Sequence, residues 1–364
     1  MLGVDARRQP AGAERKAAPQ MNDASQSLVS RARGIMQINT AYFEAKTIQA
    51  AVQVGLFELL HDGPATASEI TDRLQLHPRL AADFLDATAA MGLLDRSDGL
   101  YSNSADAEEF LVKSGGHYLG GTIAQHARKH YRAWADLAAA LQDGEAKSDI
   151  VCGTDGFLAL YQNPVAARAV MDHTDSFSRF IAPELVAKVN WTGVTSLLDV
   201  GGARGNMAGL LVKALPGVTG AVFDLPPLEP LFDEHMQKLG TSDRVRFHAG
   251  DFLSDKLPEA DVAVIGHVLH DWLPEYRQKL IDRTYAAVRP GGFLLIYEAM
   301  IDDERRNAEA LLQSLNCRVI NALGSEYSTS ECAEMVEQAG YHCESITELD
   351  TITRDRAVVA RKDG

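Results

Sequence analysis

Cysteine is scarce in this chain: Cys152, Cys317, Cys332 and Cys343 are the four in 364 residues, and no two form a C-x-x-C pair. That argues against a disulfide framework or a cysteine zinc site and for reduced, buried thiols. Uninterrupted apolar runs of transmembrane length are also lacking. Residues 1–20 are polar, with Pro10 and several Arg and Lys, so neither a membrane span nor a signal peptide is expected, and the expected address is the cytoplasm. Positive charge is short as well, with 35 Lys and Arg against 50 Asp and Glu and a formal net charge of -15. A nucleic-acid groove needs a dense basic surface, so that class of partner is not expected, and a neutral or cationic small molecule fits better. What is present is an ordinary globular composition, 46% hydrophobic and 23% charged, in a chain longer than one domain usually needs.

Four segments follow from the pattern. Residues 1–24, rich in Ala, Arg and Pro, read as a flexible tail. Residues 25–118 begin with apolar positions at helical spacing through Ile35, Phe43, Ile48 and Leu56, more apolar surface than a small domain needs, so contact with a partner is expected. Next come a helix start at Thr66-Ala67-Ser68-Glu69, a second helix from about Pro78 to Met91, and a hairpin with an Asp98-Gly99 turn. Together these make a winged helix. Its presumed recognition helix carries Asp83 and Asp86 against Arg79, which disfavours a DNA-binding role. Residues 119–190 read as bridging helices with breaks at 144–156 and Asn163-Pro164, and their cluster of His126, Arg128, Lys129, His130 and Arg132 reads first as a solvated face, with contact to an acceptor carboxylate as the alternative.

Residues 191–364 alternate strands with helices, which predicts an α/β sandwich with a mainly parallel sheet and its ligand at the carboxyl ends of the strands. Leu197-Leu198-Asp199-Val200-Gly201-Gly202-Ala203-Arg204-Gly205 is a buried strand running into a glycine turn, where missing Cβ atoms let a ligand approach backbone at a helix N-terminus. Such turns serve NAD, FAD and S-adenosylmethionine alike. Asp224 closes the next apolar strand about twenty positions after Gly205, where an acid grips ribose hydroxyls. Gly250-Asp251-Phe252 ends a third strand, offering a carboxylate for an adenine amino group and a ring to pack on the base.

These three markers, with His267-Val268-Leu269-His270-Asp271-Trp272 and Pro290-Gly291-Gly292 in that order, resemble the S-adenosylmethionine-dependent O-methyltransferases of the plant caffeate and hydroxyneurate type and their bacterial natural-product relatives. Ala50-Ala51-Val52-Gln53-Val54-Gly55-Leu56-Phe57 resembles that family's dimer-helix signature. The resemblance implies a Rossmann-like class I methyltransferase sandwich joined to an α-helical winged-helix dimerisation domain, hence a homodimer through the N-terminal helices. It also implies that Asp199, Gly201, Gly202 and Gly205 hold the methionine part of S-adenosylmethionine, Asp224 the ribose, and Asp251 with Phe252 the adenine, with Leu225 and Gly250 also at the cofactor. Gly266 and His267 would line the same pocket, and Trp272 would cover the adenine side. His267 stands where relatives often carry Lys or Arg, and Arg204 within the turn reads as facing solvent.

Methyl transfer from a sulfonium needs alignment of donor and acceptor and the removal of one proton. His270 is the expected base, since imidazole within hydrogen-bond reach of a phenol can take its proton as the oxygen attacks. No metal is expected. Glu298 and Glu326 fall where family members keep acids that fix the histidine tautomer, so either could orient His270 or bind substrate. Met171, His173, Phe177, Asn316 and Asn321 are the expected acceptor-site residues by position. The expected reaction is O-methylation of a phenolic hydroxyl on a small aromatic metabolite. Methylation of the ring carbon ortho to a phenol, for example in a tyrosine-like substrate, a non-methylating use of the cofactor, and an NAD dehydrogenase stay open as alternatives.

Overall fold

The computed structural model describes residues 27–148 and 153–364, so the expected tail and Cys152 lie outside the described residues. The chain divides into two compact units between Thr47 and Ile48. In the first, the helix Leu28–Thr40 starts at Ser27, whose hydroxyl accepts from the Ser30 N–H at 3.1 Å. Leu28, Val29, Ile35, Met36 and Ile38 on this helix are exposed, which is the apolar surplus read from the sequence.

The second unit starts within the helix Tyr42–Val54, which is stopped by Gly55 at φ +79°. Thr66 and Glu69 form a reciprocal capping box that starts the helix Ala67–Arg73, and Pro78 opens the helix Pro78–Ala90. Strand β1 (Ala65–Thr66) pairs with β3 (Leu100–Asn103), which pairs with β2 (Leu94–Ser97) around Asp98-Gly99. Leu56, Phe57, Ile70, Leu85 and Tyr101 form the core of this winged helix. Among the described residues, five short helical segments lie between Gly120 and Tyr161, and then the helix Pro164–Lys188 starts at Asn163, whose side chain accepts from the Val165 and Ala166 N–H groups.

Seven strands then form one sheet: β4 (Ser196–Val200), β5 (Thr219–Asp224), β6 (Val245–Ala249), β7 (Ala260–Gly266), β8 (Val288–Glu298), β9 (His342–Glu348) and β10 (Arg356–Arg361). Their order is β6-β5-β4-β7-β8-β10-β9. β4 to β8 run parallel, while β10 lies antiparallel between β8 and β9. β4 has the following strand on one side and β7 on the other, so the order reverses there and a crevice opens at the carboxyl ends. Apolar side chains cover both faces: Leu198, Val200, Ile265 and Leu294 belong to one core cluster, Leu197, Val222, Val264 and Leu295 to the other. That is why these strands read as near-continuous apolar runs.

Candidate active site

The crevice holds a cavity of about 450 Å³. β4 ends at Val200, and Gly201 turns the backbone at φ +73°. A Cβ on Gly201 would lie 2.8 Å from Val268 Cγ2, and one on Gly202 2.5 Å from the Asp199 carboxyl, so both positions exclude a side chain. Ala203 follows at φ +52°, unusual for a residue with a Cβ, and its N–H donates to Asp224 Oδ2 at 2.8 Å. The Leu225 N–H donates to the other Asp224 oxygen at 2.7 Å. Thus the ends of β4 and β5 are tied together through one carboxylate.

Asp199 and Asp224 are both buried, and burial pushes their carboxyls up to about 7 and about 6. Among the described residues, Asp199 Oδ2 has no hydrogen-bond partner. Two buried acids, one with an orphaned oxygen, beside a glycine cradle suit a ligand bearing a cation and hydroxyl donors, which S-adenosylmethionine has in its sulfonium, ammonium and ribose. Asp251 also faces the cavity, although its Oδ1 accepts from the Leu253 N–H at 2.9 Å, so it caps its own turn. Phe252 and Trp272 meet edge to face with centroids 5.5 Å apart, and Phe157 lies 6.2 Å from the Trp272 ring. These rings form an apolar wall beside Asp251.

His270 sits on the 3-10 turn Leu269–Asp271 and lines the same cavity. Its Nδ1–H donates to Glu326 Oε1 at 2.9 Å, so Nε2 is the nitrogen that takes up or releases the proton. Burial disfavours the imidazolium, but the Glu326 and Asp271 carboxylates outweigh that and raise His270 to about 10. The Cys317 thiol also donates to Glu326, at 3.7 Å. Glu298 does something different from orienting the imidazole: its Oε1 accepts from the Val268 and Leu269 N–H groups at 2.9 and 2.7 Å. It thereby fixes the backbone that carries His270. Buried Arg277 completes this support, donating to the Leu269, Trp272 and Ser325 carbonyls.

Asp199, Gly201, Gly202, Asp224, Leu225, Asp251, Phe252, Gly266, His267, His270 and Trp272 all line the cavity, as do Met171, His173, Phe177, Asn316 and Asn321. Gly205, Gly250, Glu298 and Glu326 do not. A Cβ on Gly205 would strike the Phe232 ring at 2.9 Å and one on Gly250 the Phe223 ring at 2.5 Å, so these two glycines serve packing behind the wall. Asn321 donates to Asp271 Oδ1 at 3.0 Å, and Asn316 accepts from Trp134 Nε1 at 2.8 Å, so both amides are engaged within the protein. His267 stands at φ +52°, with Nε2 2.9 Å from Asp355 Oδ1. Burial opposes its charge, but Asp355 wins and raises it above the ordinary histidine value.

Two readings of the sequence are corrected here. Arg204 does not face solvent: its guanidinium bonds Asp175 through Nε at 2.9 Å and Nη2 at 2.6 Å, and Asp172 through Nη2 at 2.9 Å. The glycine turn is thereby clamped to the helix that carries Met171, His173 and Phe177. Likewise His126 and His130 do not belong to a solvated face; they line the cavity, while Arg128 and Arg132 are exposed. Phe157, Arg277 and Asp355 were not expected from the sequence.

Residues 134–342 match a family model described as an O-methyltransferase domain, and residues 36–113 one described as an O-methyltransferase dimerisation domain. The N,N-dimethyltransferase OxyT of Streptomyces rimosus is 46% identical over 335 residues, 92% of this chain and 97% of that protein. The tetracenomycin polyketide synthesis 8-O-methyl transferase TcmO of Streptomyces glaucescens is 40% identical, over 84% of this chain and 90% of its own length. Among solved structures, PigF with S-adenosylhomocysteine superposes with a TM-score of 0.79 at 27% identity, covering 91% of this chain and 99% of that one.

Proposed function

The chain belongs to the S-adenosylmethionine-dependent O-methyltransferase family, and on that premise we propose that it methylates a phenolic hydroxyl of a small aromatic metabolite, with His270 taking the proton. The observation that carries this reading is the bond from His270 Nδ1 to Glu326, which sets the tautomer of an imidazole lining the cavity. Gly201, Gly202 and Asp199 would hold the methionine end of the cofactor, Asp224 and Leu225 the ribose, and Asp251, Phe252 and Trp272 the adenine. Bound there, S-adenosylmethionine supplies a methyl group on a sulfonium, an electrophile that an oxygen anion attacks directly. Met171 and Phe177 would flank the acceptor ring. Residues 25–118 are assigned to dimerisation, 119–190 to bridging helices that help form the acceptor site, and 191–364 to cofactor binding; the working form is a cytoplasmic homodimer. Among the described residues no helix is long and apolar enough to cross a membrane.

A phenol has an ordinary pKa of about 10. His270 raised to about 10 is matched to it, so transfer between oxygen and Nε2 is nearly even in energy. The same elevation keeps the free imidazole charged at neutral pH, so kcat/KM should climb with pH through the alkaline range. Glu326→Gln removes the carboxylate that raises His270; neutral imidazole then forms at lower pH. The rising limb should therefore move to lower pH, and the plateau should fall because the base is weaker. A pH profile of the variant that superimposes on the wild type contradicts this.

A second reading, transfer to an amine nitrogen, is favoured by the name of the 46% identical OxyT. Phenols, including aromatic polyketides, and arylamines incubated with 13C-methyl S-adenosylmethionine separate the cases. O-methyl, N-methyl and ring-methyl carbons resonate in different regions, and a methoxy signal is expected. An N-methyl or aryl-methyl signal as the sole product overturns the phenolic reading.

A further inference from the structure

The bridging helices bring three further histidines into the same cavity. Residues His126–His130 form a single π turn, a local feature common at functional sites, in which the Tyr131 N–H reaches the His126 carbonyl. The His126 and His130 rings lie 4.6 Å apart, and the His173 ring from the helix Pro164–Lys188 lies 5.8 and 5.9 Å from them. His173 Nδ1 is 2.9 Å from Thr122 Oγ1, and its ring meets Phe177 edge-on at 5.3 Å. From Phe177 the ring belt continues to His267 at 6.2 Å and from His267 to His270 at 5.6 Å. All six rings line one cavity.

Burial holds His126 below the ordinary histidine value, pushes His130 down to about 3 with the help of neighbouring His126, and holds His173 well below it. Each is therefore a neutral imidazole near neutral pH; His126 and His130 each offer one donor and one acceptor, and His173, whose Nδ1 meets Thr122, offers its Nε2. A neutral wall gives a carboxylate no counter-charge, but it serves hydroxyl and carbonyl oxygens equally well. Among the described residues, no hydrogen bond to protein engages the His126 or His130 ring. Leaving such groups without a partner under a bound apolar ring weakens binding by about tenfold each.

We propose that His126, His130 and His173 form a second, oxygen-recognising wall of the acceptor site, selecting flat, uncharged aromatics that carry further ring oxygens besides the hydroxyl presented to His270. This rests on the phenolic reading and deepens it by naming the class of acceptor as polyoxygenated. A simple monophenol would fill the apolar part of the cavity but leave this wall unpaired.

The test is calorimetric, with S-adenosylhomocysteine present, so it does not depend on turnover. The probes are 1,8-dihydroxyanthraquinone and 1-hydroxyanthracene, which share a three-ring outline and differ in oxygens. Wild-type protein should prefer the quinone, and the double variant His126→Phe/His130→Phe should weaken quinone binding by about tenfold or more. Its affinities for 1-hydroxyanthracene and S-adenosylhomocysteine should be unchanged, and His130→Asn, which keeps a donor and an acceptor, should retain part of the preference. Should the double variant lose S-adenosylhomocysteine binding, the single Phe variants that keep it are read the same way. Equal weakening of both probes, no weakening of either, or a wild type without the preference overturns the proposal. If the preference and its loss are seen but neither probe is ever methylated, it is the phenolic reading that fails, not this one.

Discussion

His270→Ala is expected to lower kcat/KM by about 10²–10⁴-fold, the range that a positioned general base contributes. His270 is held from three sides: Glu326 accepts its Nδ1–H, the Ser325 N–H donates to its backbone carbonyl at 2.8 Å, and Glu298 anchors the two preceding N–H groups. Removing the ring leaves that scaffold in place, because none of the backbone bonds runs through the side chain. Affinity for S-adenosylhomocysteine should therefore persist. Turnover close to that of the wild type, measured on an acceptor that the enzyme accepts, would remove His270 from the reaction.

Asp224→Ala is expected to act on the other substrate. A hydrogen bond to a charged group contributes about 1.5–3 kcal/mol, so losing both ribose contacts should weaken S-adenosylhomocysteine by about 10²–10⁴-fold. The Ala203 and Leu225 N–H groups lose their acceptor in the same step, which loosens the turn that Gly201 begins. Since burial raises Asp224 to about 6, the wild-type affinity should also fall as pH drops through that value and the carboxylate takes up a proton. In Asp224→Ala that pH dependence should be reduced. Calorimetry at two pH values reads both effects, and an affinity within a few-fold of wild type would contradict the assignment.

The parts of this site that were legible in the sequence are those made by local pattern. Leu197 to Gly205 announces a strand and a turn because the apolar run and the glycines are contiguous, and Asp224 stands out because it ends a strand. The same logic cannot reach Arg204, whose partners Asp172 and Asp175 lie on a helix some thirty residues earlier. Charge alone suggested solvent; only the packing of that helix over the turn makes the guanidinium a clamp. His126 and His130 are hidden in the sequence for a related reason. They sit among Arg128, Lys129 and Arg132, and a run of charged residues masks which face of a turn points inward. Glu298 and Glu326 looked equivalent because both follow the histidine motif in sequence, yet one meets the imidazole and the other the backbone. The choice is set by where β8 ends relative to the 3-10 turn, a tertiary fact.

The central claim is that a bound phenol gives its proton to His270. It is tested most directly by the ultraviolet spectrum of 1-hydroxyanthraquinone bound to the complex with S-adenosylhomocysteine, followed through an alkaline pH titration. The apparent pKa of the bound phenol in wild-type protein should differ from that in the His270→Ala complex, with the phenolate band appearing at lower pH when His270 is present. Bound phenol that ionises at the same pH in both proteins would contradict the account.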